Sequence, residues 1–239
     1  VDILKGLDHI ANFLNSLDTE GMTANEVRSA IYKECITPTR SKIMLSVFFA
    51  LDRSGSMNGV KWSNAIESIN DYISKLQGEQ VEGKVTIVAF DTADTIRLEN
   101  LVENKSIAYF KPLATDVAQP SGMTPLYDAC ANVMDRALAS GAERAVVVIL
   151  TDGLENASRE YTQEAIKAKV EQVTAKGYEV LFLGANFDVS NYTKGVGLDM
   201  TKMYNFNLQS VADTAEMSRG LFASTVAYAR SGQAINLNA

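Results

Sequence analysis

Asp52, Ser54 and Ser56 stand at alternate positions in FFALDRSGSMNGVKW (48–62), directly after a run of apolar residues. A carboxylate and two hydroxyls in that spacing could serve as a nucleophilic aspartate with its helpers, an anion cradle, or a site for a hard cation. A phosphoryl-transfer enzyme of the haloacid dehalogenase type places a second carboxylate two residues after its nucleophile as general acid. Here that position is Ser54, which cannot donate a proton in that role at neutral pH. A serine hydrolase needs a glycine-flanked elbow and a histidine; the elbow glycines are absent, and the chain's one histidine, His9, lies far upstream in a helical pattern. A phosphate cradle uses G-x-G-x-x-G or G-K-[ST]. SGSMNG has neither, and a neighbouring aspartate repels phosphate.

Two further stretches favour the cation. Thr124 in SGMTPLYDA begins a predicted helix, and Asp152 in VVVILTDGLEN follows another apolar strand. Together with the first motif they supply two carboxylates and three hydroxyls, all oxygen donors. Such a set suits Mg2+, with Mn2+ or Ca2+ as alternatives, rather than zinc or copper. Neutral hydroxyls leave a bound ion short of negative charge, so it should seek a carboxylate from outside.

The elements that must position these residues are legible in the hydrophobic pattern. From Ile43 onward, apolar strands alternate with amphipathic helices: IMLSVFFAL, then the helix VKWSNAIESINDYISKLQ with Trp62, Ala65, Ile66, Ile69, Ile73 and Leu76 on one face, then KVTIVAF. DTIRLE reads as the antiparallel hairpin partner of KVTIVAF, and residues 100–123 as irregular. A helix follows with Pro125 in its first turn, then the strand RAVVVILT, a helix closed by Gly177, the strand YEVLFLGA, a short helix, the edge strand KMYNFN and a last helix over 208–230. Strands apolar on both faces with helices between them require an α/β, Rossmann-like fold: a mostly parallel central sheet with one antiparallel edge strand and helices on both sides. Ligands in such sheets bind at the carboxyl ends of the strands where the strand order reverses, and there Asp52 and Asp152 fall. Residues 1–42 are predicted to form an N-terminal helical hairpin, with Thr23 and Glu26 as a capping box. Residues 43–230 form the main domain and 231–239 a polar tail.

The DRSGS loop, Thr124 in GMTPLYDA and Asp152 in LTDG together resemble the metal-ion-dependent adhesion site (MIDAS) of von Willebrand factor type A (VWA) domains. The resemblance covers residues 43 to about 230, and GMTPLYDA, TDGLENAS and LFLGAN are most similar to cytoplasmic bacterial and phage-encoded members. It implies a sheet of order 3-2-1-4-5-6. It also implies Mg2+ held directly by Ser54, Ser56 and Thr124, and partly through water by Asp52 and Asp152, with a partner's Asp or Glu completing the shell. The implied function is a non-enzymatic, metal-dependent protein-binding module. The alternative is a structural subunit of a larger complex or phage virion, assembled through the N-terminal helices with the metal stabilising loops. The implied location is the cytoplasm, or the virion if the chain is phage-encoded. In regulated relatives the last helix shifts when the site changes state.

Other polar residues have plainer readings. Asp91 and Asp94 fit an Asx-type turn, Asp128 a first-turn helix acid, Glu155 and Asn156 solvent-facing loop, and Met57 packing. Composition agrees with a globular domain, at 46% hydrophobic and 21% charged residues. The net charge of −7, without any basic run, argues against nucleic acid as partner. Cys35 and Cys130 read as small buried residues rather than a disulfide, which suits a reducing compartment. No stretch approaches the roughly 20 apolar residues of a membrane span. The first residues lack a secretion-signal layout.

Overall fold

Leu45–Asp52 forms β1, whose side chains divide between two cores. Val47, Phe49 and Leu51 enter one, Phe48 and Ala50 the other. The strand reads as continuously apolar because period-two alternation sends residues to both faces, and both faces are covered. Arg144–Thr151, β4, repeats the arrangement, with Val146, Val148 and Leu150 on one side and Ala145, Val147 and Ile149 on the other. The computed structural model describes residues 44–186, 188 and 190–238, together with Thr23, Glu26 and Val27.

The remaining strands are β2 (Gly83–Thr92), β3 (Ile96–Ser106), β5 (Glu179–Ala185) and β6 (Met203–Phe206). The sheet order is β3-β2-β1-β4-β5-β6, with only β2 and β3 antiparallel. The helices are α1 (Val60–Gly78), α2 (Leu126–Ala139), α3 (Gln163–Ala175), α4 (Ser190–Gly195) and α5 (Val211–Ser231). The first core is closed by α1 and α5, the second by α2, α3 and α4. The expected apolar face of α1 is buried, and Tyr72 joins it, donating its hydroxyl to Thr225 on α5 at 3.1 Å. Trp62 is buried on the same face, and its indole N–H is the one buried side-chain polar atom without a partner among the described residues.

Four details depart from the sequence-based expectation. β3 runs on to Ser106 where irregular chain was predicted, because Lys84–Thr92 pairs along its whole length across two register shifts. Its polar composition is that of a half-exposed edge, where charged side chains discourage pairing with another chain. Pro125 stands at the N-cap of α2, just before its first turn. The last helix begins at Val211 rather than 208. The residues after it are not merely a polar tail: Ile235 and Leu237 are buried in the first core, and the Leu237 N–H donates to the Thr201 carbonyl at 2.8 Å.

The predicted N-terminal hairpin, with His9 and Cys35, lies outside the described residues except at the capping box. There the Thr23 N–H and hydroxyl both donate to Glu26 Oε2 at 2.7 Å, and the Glu26 N–H returns to Thr23 Oγ1 at 3.3 Å. Cys130 is a free, buried thiol, as expected, and burial pushes its pKa up. Among the described residues, no helix is long and apolar enough to cross a membrane.

Candidate metal centre

β1 and β4 are neighbours, and the chain winds outward from them in both directions, so their carboxyl ends mark the point where the strand order reverses. Asp52 ends β1 there with 0% exposure. Its Oδ1 accepts the Ser54 N–H at 2.7 Å and its Oδ2 accepts the Thr151 hydroxyl at 2.6 Å. Among the described residues no cation pairs with it. Burial pushes its pKa up to about 6, against the lowering effect of the Thr151 hydroxyl and the Ser54 N–H, and nearby Asp152 adds to the rise.

The chain then makes a short 3-10 turn, Gly55–Met57. This brings the hydroxyls of Ser54 and Ser56 to 3.1 Å from each other, and Ser56 donates to Asp152 Oδ1 at 2.6 Å. The other oxygen of Asp152 accepts the Lys61 ammonium at 2.6 Å, from the first turn of α1. The Asp152 side chain is covered, while Lys61 stays 20% exposed. Asp52, Ser54, Ser56 and Asp152 thus form one continuous hydrogen-bonded row across two loops. Met57 is fully buried, so its role is packing.

Thr124 comes from a third segment that is tied to both others. Gly122, at φ +70°, accepts the Gly55 N–H at 3.0 Å. Met123 exchanges hydrogen bonds with Thr92 at the end of β2, its N–H to the hydroxyl at 2.9 Å and its carbonyl from the Thr92 N–H at 3.1 Å. The Thr124 N–H donates to Asn156 Oδ1 at 2.8 Å, and the Asn156 N–H donates back to the Thr124 carbonyl at 3.2 Å. A Cβ placed on Gly153, next to Asp152, would lie 3.6 Å from the Thr124 hydroxyl. That hydroxyl has no hydrogen-bond partner among the described residues.

Several acids assigned plain roles from sequence turn out to build these loops. Asp91 is fully buried in ion pairs rather than serving an Asx turn: Arg53 Nε lies 3.0 Å from its Oδ2, and Arg97 grips both oxygens at 2.6 Å. Arg53, the first of the two variable residues of the D-x-S-x-S motif, also pairs with Glu99. Its side chain therefore moors the first loop to β2 and β3. Asp128 does more than favour the helix dipole, since it accepts the backbone N–H groups of Arg159, Glu160 and Tyr161 at 2.9, 3.1 and 3.0 Å. Glu155 faces inward, not solvent. It accepts the N–H groups of Tyr127, Ala157 and Ser158 at 2.9, 2.8 and 2.6 Å, capping α2 and folding the third loop on itself. Asn156 is exposed yet holds Thr124. Asp94 is exposed.

The donor set fits a hard divalent cation. Among the described residues no group of three or more His, Cys, Asp or Glu side chains could hold a metal, so an ion here must draw on hydroxyls, and every donor is oxygen. A buried carboxylate that lacks a counter-cation is costly unless a positive group arrives, and Asp52 is such a carboxylate.

A comparison with known protein families matches residues 46–219 to the von Willebrand factor type A domain. The chain belongs to this family. The strand order β3-β2-β1-β4-β5-β6 is the one the VWA resemblance implied. No curated protein sequence matches. Among solved structures, proximal thread matrix protein 1 from the mussel byssus is 16% identical with a TM-score of 0.55, over 75% of this chain and 45% of that one. The pilus adhesin SpaC from Lactobacillus rhamnosus GG, in its open conformation, is 11% identical with a TM-score of 0.59, over 77% and 30%. The vWF domain of the type V pilus tip protein Mfa5 from Porphyromonas gingivalis is 11% identical with a TM-score of 0.56, over 75% and 95%. The VWA fold is what these likenesses share. The chain spans 45% of the length of the mussel protein and 30% of SpaC, less than half of either.

Proposed function

We propose that this VWA domain is a divalent-cation-dependent protein-binding module, of the adhesion type. Ser54, Ser56 and Thr124 are the direct ligands of a Mg2+ ion in this reading, and Asp52 and Asp152 hold it partly through water. The ion supplies an electrophilic centre that accepts an Asp or Glu carboxylate from a partner protein. The residues of this chain do the rest. Asp52 fixes the Ser54 backbone and Thr151 fixes Asp52. Asn156 sets Thr124, and Arg53 with Asp91 anchors the first loop.

The observation that carries this reading is the Ser56–Asp152 hydrogen bond of 2.6 Å, made across 96 positions of sequence and adjoining the buried Asp52, which pairs with no cation among the described residues. An adhesin and a pilus tip protein among the structural neighbours are compatible with it. We read the site as binding rather than catalytic, because Ser54 occupies the position where a phosphoryl-transfer enzyme needs its acid. The same reading leaves the domain in the cytoplasm, or in a virion, and leaves residues 1–42 as a docking extension.

The test is a pull-down with Mg2+ and with EDTA, followed by identification of what is retained. Mg2+-dependent capture that Asp52→Ala abolishes, with the variant still folded by circular dichroism, is the expected result. A partner that binds equally well in EDTA and to the variant would refute the proposal.

A further inference from the structure

The three segments of the candidate centre, with the helix start that follows the first, each expose one large apolar side chain. Val60 is 61% exposed, Met123 52% and Leu154 61%. Val60 opens α1 beside Lys61, Met123 immediately precedes Thr124, and Leu154 lies two residues after Asp152. A single exposed apolar residue is ordinary. Here three of the seven large apolar side chains that the described residues expose sit within two positions of a candidate ligand or of Lys61. Each also stands next to, or two residues from, a group that crosses to another loop: Lys61 to Asp152, Thr124 to Asn156, and Asp152 to Ser56.

The acid beside Leu154 does not offset this apolar character, because Glu155 spends both oxygens on Tyr127, Ala157 and Ser158. Among exposed polar residues such as Ser56, Asn58 and Asn156, these three side chains thus add apolar surface beside the centre, and the partly exposed Lys61 ammonium would add to the charge of a bound ion. A polar ligand would leave that surface wet. A carboxylate carried among apolar neighbours would bury it, and excluding water would strengthen the attraction between carboxylate and cation.

We infer that Val60, Met123 and Leu154 form an apolar collar that selects a protein segment whose metal-seeking Asp or Glu is flanked, within two positions, by large apolar side chains. The inference rests on the metal-dependent reading above and adds the partner's chemistry to it.

A random heptapeptide display library, panned on the full chain in Mg2+ and in EDTA, tests it. The expected outcome is Mg2+-dependent enrichment of acidic peptides with Leu, Ile, Phe or Met within two positions of the acid. An enriched peptide, synthesised and titrated, should bind the triple variant Val60→Ser, Met123→Ser, Leu154→Ser at least roughly tenfold more weakly than the wild type. The Mg2+ affinity of the variant by calorimetry should be unchanged, since these exposed side chains hold neither the core nor the ion. Enrichment of acidic peptides with no flanking preference, or equal binding to the variant, overturns the collar and leaves metal-dependent binding standing. The absence of any Mg2+-dependent enrichment overturns that underlying reading and the collar with it.

Discussion

Asp52 is a carboxylate removed from water and given hydrogen bonds but, among the described residues, no cation. Its folded-state pKa of about 6 lies above the ordinary value of 3.8, so the folded chain holds this proton more tightly than the unfolded one. The stability tied to that proton is complete below about pH 4 and is lost as pH rises through about 6. Metal-free wild type should therefore lose on the order of 2–3 kcal/mol relative to Asp52→Asn across that window. Urea midpoints of both proteins at several pH values measure the difference, and parallel profiles would contradict it. Lys61 presents the complementary case. Its ammonium already neutralises one oxygen of Asp152, and it repels any dication bound close by. Lys61→Met should tighten Mg2+ binding by about tenfold or more, while Lys61→Arg should not. Weaker binding by the methionine variant would mean that Lys61 acts by holding Asp152 in place.

At the scale of elements, the centre depends on how the loop before α2 meets β2. Gly122 has φ +70°, and a Cβ there would lie 1.4 Å from the Thr92 carbonyl oxygen, a group that is part of the β2 end and cannot yield. Gly122→Ala should cost at least about 2 kcal/mol in strain and weaken Mg2+ binding, since Thr124 stands two residues on. Thermal melts and calorimetry check both effects, and a variant with unaltered ion affinity would separate Thr124 from the centre. From residue 44 onward, the strands, helices and the strand-end and helix-start loops were readable from the sequence because two-sided burial makes a strand uniformly apolar and one-sided burial gives a helix its stripe. Arg53 and Asp91 were not readable, because their pairing spans 38 positions with no spacing rule to announce it. Asp128 is the first-turn acid of α2 that the sequence suggested, but its second role was hidden for the same reason, since its partners at 159–161 belong to another loop. The length of β3 was hidden by its edge position, which lets polar residues stand where a central strand would be apolar.

Taken as a whole, the unit of residues 43–239 is a sheet wound in two directions from β1 and β4, with its polar site at the seam and its two cores on either side. The chain beyond α5 returns to bury Ile235 and Leu237 near β6, a closure that two apolar residues in a polar stretch did not advertise. One consequence lies in Trp62. It is the chain's sole tryptophan, it sits in the first turn of α1 beside Lys61, and its indole N–H is buried without a partner among the described residues. Its fluorescence is therefore a single-source optical signal, native to the molecule, from the helix that leaves the DRSGS loop. A stopped-flow trace of it would time the arrival of the proposed ion or partner with no dye attached.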